Sequence, residues 1–217
     1  MGFHYDEVYF ERHYATPFYR RYISVRNGFI RGEVAKLVPS GRFLEVGFGD
    51  DSLIRLFDND FDVFGVDISE FAVREITTRY PPANFKVCDI SRDKVPFDGD
   101  FDVVCAINTV EHLENPGFAL QNVSDSLGGN GVLAVYLPTR SNIFSRVQYK
   151  MLYDVEEHVF RPSVQGLRNL LRGAGFGVCK EYAASFAPLK LSGDFILKSF
   201  NLYFGLWRKQ KGPSNCA

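Results

Sequence analysis

The stretch FLEVGFGDDS, Phe43–Ser52, runs from apolar residues through an acid into two spaced glycines and then two aspartates. An apolar run that breaks into Gly47-x-Gly49 reads as a strand turning at the carboxyl edge of a sheet, where ligands of open α/β folds bind. Glycine there leaves nothing between a nucleoside and the main chain. Asp50, Asp51 and Ser52 follow at once, and each is a residue type that caps a helix. A Gly-x-Gly turn alone also arises for local conformational reasons, so the surrounding residues decide.

Two carboxylates bear on it. Glu45 lies two residues before Gly47, and Asp67, at the end of VFGVD, follows Gly47 by twenty. An acid at that distance accepts the hydroxyls of an adenosine ribose. A nicotinamide dinucleotide and S-adenosylmethionine both satisfy this much. A dinucleotide sets its pyrophosphate on a helix N-terminus, and its G-x-G-x-x-G pattern needs glycine at position 52, which is serine. Asp50 and Asp51 would put two negative charges beside that phosphate. A sulfonium cofactor carries positive charge and no phosphate, so the electrostatics favour the methyl donor.

Outward from this turn, short apolar runs alternate with helix-like segments. The runs are 42–46, 62–67, 84–88, 101–107 and 131–137; the intervening segments 52–59, 70–80 and 116–127 are each long enough for a crossover helix. That alternation predicts right-handed βαβ units in a doubly wound, mostly parallel sheet with helices on both faces. Residues 163–174 carry a helical pattern (Val164, Leu167, Leu170, Leu171) that stops at Gly175, and 176–182 reads as a strand. The apolar stretch 195–207 fits a core helix followed by a last strand near 202–207. An amphipathic helix touching a membrane is the competing reading, with peripheral contact rather than insertion.

Composition bounds the function. A chain of 217 residues, 46% hydrophobic and 24% charged, suits one globular domain. Its net charge of −1 lacks the basic excess of nucleic-acid binders, so no such partner is expected. Cys88, Cys105, Cys179 and Cys216 are scattered without a C-x-x-C pair, which suggests reduced thiols rather than a disulfide framework or zinc site. MGFHYDEVYF is no secretory signal, Asp6 defeats a myristoylation signal, and no apolar stretch approaches the ~20 residues that span a bilayer. A soluble, cytoplasmic protein is the expectation.

With these residues in view, the chain resembles the class I S-adenosylmethionine-dependent methyltransferases over about residues 40–178. The first motif is similar to Glu45-Val46-Gly47-Phe48-Gly49-Asp50-Asp51, with Asp51 in place of a third glycine. GVDIS looks like the second motif, which implies Asp67 on the ribose and Ile68 beside the adenine. VCDIS resembles the third, implying Asp89 at the adenine amino group and Ile90 against the ring. FDVVCAINTVEHLENP, with Asn108 after its strand, is similar to the E-H-L-x-x-P segment of the branch containing the ubiquinone-biosynthesis O-methyltransferases. GGNGVLAVYLP and EEHVFRPSVQGLRNLLRGAGF complete six matches in order. The resemblance implies a seven-stranded sheet with a last antiparallel strand and a single domain. Its expected parts are an N-terminal helical lid (1–40), a cofactor-binding core (41–140), a substrate-side loop (141–162) and a C-terminal helix and strands (163–217). The cofactor-binding set it implies is Glu45, Gly47, Phe48, Gly49, Asp67, Ile68, Asp89, Ile90 and Asn108.

The ubiquinone branch carries E-x-x-E-H, whose acids and histidine are thought to hold a divalent metal. Here the first acid is Asn108, whose neutral carbonyl binds a hard cation more weakly, so no metal is expected. The implied reaction is attack of a small-molecule acceptor, at oxygen, on an activated methyl carbon; alignment supplies up to about 7–11 kcal/mol in favourable cases, and a general base removes the acceptor proton. His112 and His158 are the candidates for that base, each weighed against a structural histidine bonded to backbone. Glu111 is placed to orient an imidazole or to cap a helix. In the N-terminal region Tyr14 and Tyr19 are candidates to reach the methionine end, and Arg20 or Arg21 to meet an acidic substrate, against the simpler reading of packing and solvation. The alternatives are a cofactor-binding protein of the same fold without catalysis and, less well supported, a NAD-dependent oxidoreductase.

Overall fold

The computed structural model describes residues 17–152, 158–184 and 188–210. Eight strands form one sheet: β1 (Gly41–Val46), β2 (Phe61–Asp67), β3 (Phe85–Val87), β4 (Phe101–Ile107), β5 (Leu127–Pro138), β6 (Phe176–Ala184), β7 (Pro188–Leu191) and β8 (Leu202–Lys209). Their order is β3-β2-β1-β4-β5-β8-β6-β7. β1 to β5 pair in parallel, and β8 enters antiparallel between β5 and β6. This is the expected Rossmann-like sheet of seven strands with an antiparallel last strand; the short β7 adds an edge that the sequence pattern does not announce.

Adjacent residues within a strand point to opposite faces, and both faces are covered. On one, Leu44, Val104, Leu133 and Val135 pack with α3 (Pro116–Ser126) and α5 (Val164–Gly173), through Leu120, Val123, Leu167 and Leu171. On the other, Phe43, Val103, Cys105 and Ala134 pack with α1 (Pro17–Ala35) and α2 (Glu70–Ile76), through Ile30, Val34, Ala72 and Ile76. α1 buries Ile23, Asn27, Ile30 and Val34, a spacing of three and four that lays one face on the sheet. Glu45 shares the strand face of Phe43 and therefore looks toward α1. That places a carboxyl under the helix nearest the site.

Several segment boundaries differ from the sequence pattern. Residues 52–59 form no α-helix; Ile54–Leu56 is a single 3-10 turn. Leu53, Ile54 and Phe57 imitate helical spacing, but Asp58-Asn59-Asp60 and the return to β2 leave too few residues to repay helix nucleation. The expected loop over 141–162 contains α4 (Ile143–Leu152). The apolar stretch 195–207 divides into α6 (Asp194–Ser199) and β8, whose Leu202 to Trp207 are buried. A short helix and a buried strand stand there in place of a continuous amphipathic helix, and within the short helix Leu197 is buried while Phe195 is exposed.

Among the described residues no helix is long and apolar enough to cross a membrane. Cys88 and Cys105 are buried free thiols. Burial pushes Cys88 up to about 11 and also raises Cys105, so both stay protonated at neutral pH. Cys216 and residues 1–16 of the expected lid lie outside the described residues.

Candidate cofactor and catalytic site

At the end of β1 the backbone turns through two left-handed residues, Gly47 at φ 69° and Gly49 at φ 60°. Gly47 has a second reason to be glycine. A Cβ there would stand 2.6 Å from the Thr109 side chain, which is fixed because its hydroxyl donates to the Val46 carbonyl at 2.9 Å. The Gly47 N–H bonds the Val66 carbonyl at 2.7 Å, so the turn is held from β2 as well. Asp67 closes it: Oδ2 accepts from Gly49 N–H at 2.9 Å and Oδ1 from Ser69 N–H at 2.8 Å. Burial pushes the Asp67 carboxyl up, against the pull of the Ser69, Gly49 and Ile68 amides.

The two aspartates after the turn have partners of their own. Asp50 Oδ1 accepts the Ser52 N–H at 2.9 Å, and Asp51 pairs with Arg79 at 2.5 Å. Asp51, where the resembled motif has its third glycine, is therefore anchored outward by a cation from the turn after α2. Phe48 lies between the glycines, yet its ring is buried edge-on to Phe85, centroids 5.7 Å apart. As a cofactor contact Phe48 offers only backbone.

Arg26 is a buried cation whose charge acts on two buried acids, Glu45 and Glu111. Arg26 donates from Nε to Asn27 Oδ1 at 2.9 Å, and Asn27 Nδ2 donates to Ser52 Oγ at 3.0 Å, tying α1 to the glycine turn. The guanidinium carbon lies 5.7 Å from the ring centroids of both Tyr22 and Tyr136, whose hydroxyls share a 3.0 Å hydrogen bond. Glu45 Oε2 is buried without a hydrogen-bond partner. Its carboxyl is pushed well up by burial and by the charges of Asp50 and Asp67, with Arg26 opposing.

Along the edge from Asp67, Ile68 is 52% exposed. Asp89 accepts the Ser91 N–H at 3.0 Å and lies 3.4 Å from Arg92. Ile90 is only 4% exposed and belongs to the core beside Cys88 and Val95. The apolar side chains exposed at this edge include Ile68 and Val87, the latter opposite Asp67 in the β2–β3 register.

The other wall follows β4. Asn108 adopts φ 52°, a left-handed conformation that asparagine tolerates better than most residues, and its N–H bonds the Tyr136 carbonyl at 2.7 Å. The turn Val110–His112 then buries Glu111 and leaves His112 half-buried. The Phe160 N–H donates to the Glu111 carbonyl at 2.9 Å, drawing the 158–160 segment alongside. His112 and His158 meet edge to face, centroids 4.8 Å apart. Tyr149 of α4 shares a 3.0 Å hydrogen bond with His158 Nδ1. The two candidate histidines, 46 positions apart, thus form one pair.

Donor atoms of Glu111, His112 and His158 lie within 4.8 Å of one another, close enough to surround a cation. Glu111, however, is pushed up to about 8 by burial, opposed by a backbone amide and the charge of Arg26. A carboxylate and two imidazoles are ligands that a divalent cation takes, and the same groups can exchange protons.

Of the N-terminal candidates, Tyr14 and the Tyr19 side chain lie outside the described residues, and Arg20 and Arg21 are exposed. The sequence reading passed over Tyr22, Arg26, Thr109, Tyr136 and Tyr149. Nothing in RRYISVRN distinguishes Arg26 from its neighbours except helical spacing to Ile23 and Ile30.

A family model described as methyltransferase domain matches residues 19–181. No curated protein matches significantly. Among solved structures, the complex between the Haloferax volcanii Trm112 methyltransferase activator and the putative methyltransferase contains a similar chain. Its TM-score is 0.72 at 14% identity, over 96% of this chain and 97% of that one. A possible histamine N-methyltransferase from Thermotoga maritima scores 0.65 at 20% identity, over 93% and 98%. Magnesium protoporphyrin IX methyltransferase from Synechocystis PCC 6803, solved with bound SAH, scores 0.60 at 16% identity, over 94% and 100%. At such identities these likenesses are of fold.

Proposed function

Because the chain belongs to the methyltransferase-domain family, whose methyl donor is S-adenosylmethionine, we propose that it transfers the donor's methyl group to an oxygen of a small-molecule acceptor. The observation that carries this reading is convergence. The glycine turn, Asp67, the unpartnered Glu45 oxygen and the His112–His158 pair all belong to one edge of the sheet.

The residues present fit the cofactor. Asp67 is the ribose acceptor, Ile68 the apolar surface for adenine, with Asp89 beside it, and the Gly47 and Gly49 backbone leaves room for the nucleoside. Arg26 is the cation for the methionine carboxylate, and Glu45 Oε2 is an acceptor in want of a donor. Asn108 lines the wall opposite Asp67. When bound, the cofactor supplies a methyl carbon activated by a sulfonium. His112 or His158 takes the acceptor proton at a ring nitrogen, and Tyr149 holds the His158 ring in place through Nδ1. The resemblance of the 101–116 segment supports placing the chain with the ubiquinone-biosynthesis branch. The buried free thiols support a reducing, cytoplasmic setting.

Transfer of a labelled methyl group to a panel of hydroxyl and amine acceptors tests the proposal. Transfer to hydroxyls is expected. Tight S-adenosylhomocysteine binding with no turnover on any acceptor would favour a non-catalytic binding protein. Thermal stabilisation by NAD, but not by S-adenosylhomocysteine, would overturn the cofactor assignment.

A further inference from the structure

α4 packs on the protein with its polar side. Ser145 and Tyr149 are buried, whereas Ile143, Phe144, Val147 and Met151 are exposed, Phe144 by 64% and Met151 by 77%. At about 100° per residue these four span one apolar arc of roughly 100°, opposite the buried side. A helix at a water surface ordinarily does the reverse. Its orientation is fixed from within. Ser145 Oγ accepts the Ser141 and Asn142 N–H groups at 2.8 and 3.0 Å. Asn142 Nδ2 donates to Ser199 Oγ at 3.1 Å, and Tyr149 is bonded to His158. The helix cannot roll its stripe inward without breaking these.

Charge completes the pattern. Arg146 and Lys150, four residues apart, are exposed along one border of the arc, and α4 contains no acid. Among the described residues neither cation has an ion pair, and Arg140 in the entry loop is also exposed. Asp154, Glu156 and Glu157 follow the helix in sequence and lie outside the described residues. α6, joined to α4 through Ser199, presents a further exposed phenylalanine, Phe195. An apolar stripe bordered by unpaired cations matches a surface that is apolar below and anionic above.

We propose that α4 is an interfacial helix that seats this protein on an anionic bilayer surface. Ile143, Phe144, Val147 and Met151 enter the acyl boundary, and Arg146 and Lys150 meet phosphate headgroups. The inner face of the same helix holds His158, so docking sets the histidine pair about one helix diameter, ~10 Å, from the lipid. The inference stands whether or not the proposed methyl transfer is correct, because it is read by binding alone.

The full chain is sedimented with vesicles of phosphatidylcholine, with and without phosphatidylglycerol. Binding to the mixed vesicles is expected, weaker to the neutral ones and reduced by salt. Phe144→Ser with Met151→Ser should lower it by about tenfold or more. Arg146→Gln and Lys150→Gln should each lower binding roughly fivefold, to anionic vesicles only. All four positions are exposed, and an unchanged melting temperature confirms folding. No binding to either vesicle, or undiminished binding by the Phe144/Met151 variant, overturns the proposal. So does a concentration-dependent dimer of the wild-type chain that the same variant abolishes, since a second copy would then cover the stripe.

Discussion

Asp67 Oδ2 accepts the Gly49 N–H at 2.9 Å, which couples the residue proposed to hold the ribose to the shape of the turn beneath it. Replacing Asp67 by alanine removes an acceptor and loosens the loop together. A hydrogen bond to a charged group is worth about 1.5–3 kcal/mol, so S-adenosylhomocysteine affinity measured by calorimetry should fall roughly tenfold to a hundredfold. Undiminished affinity would contradict the ribose role.

Gly47→Ala meets two obstacles, the φ of 69° and the Thr109 side chain. A non-glycine residue in such a conformation costs of order 1–3 kcal/mol, and in a domain of this size each kcal/mol lowers Tm by about 2–4 °C. A loss of several degrees is expected by calorimetry. Adding Thr109→Gly should recover the steric part and leave the dihedral part. No recovery would mean that Thr109 does not crowd the turn.

His112 and His158 are separable by substitution although they touch. Loss of a general base typically costs 10²–10⁴-fold in rate. Alanine at the residue acting as base should lower kcat on that scale, with S-adenosylhomocysteine affinity unchanged. Tyr149→Phe should lower kcat by a smaller factor and leave the acceptor KM unaltered, because it frees the His158 ring without removing it. Full activity in both histidine variants would leave alignment alone as the source of rate.

Glu111 gives the fold a dependence on pH. Its buried carboxyl is raised from 4.5 to about 8, so protonation contributes stability that is complete below the unfolded value and is lost as pH rises through the folded one. Glu111→Gln, which cannot ionise, should match the wild type near the low end of this window. It should then exceed it in Tm increasingly toward the upper end. A constant difference across the range would place the raised value elsewhere.

The Glu111, His112 and His158 cluster can also be tested for a cation. A chelating agent should leave methyl transfer unchanged when turnover is followed by released S-adenosylhomocysteine. Activity lost to the chelator and restored by a divalent cation would show the Glu111, His112 and His158 cluster to be a metal centre.

The parallel sheet was legible because its strands are buried on both faces and read as continuous apolar runs; β1, β2 and β4 fall within a residue of the sequence boundaries. The cofactor edge was legible because its acids and glycines keep a fixed spacing along the chain. What escaped depends on contacts across it. Thr109 constrains Gly47 from 62 positions away, and Arg26 is singled out from three nearby arginines only when α1 lies over Glu45. α4 escaped for another reason. Its apolar residues face water, so its pattern promised no core to pack against.

β8 enters the sheet between two strands made before it. By the time residue 184 leaves the ribosome, every strand of the cofactor edge has been synthesised, yet β5 and β6 still face an empty lane. Their unpaired backbone is open to other chains during that interval. Only when residues 202–209 arrive, with Phe204 and Trp207 among them, does the lane fill. The open edges of β5 and β6 therefore wait on a distant strand for as long as the intervening residues take to be made.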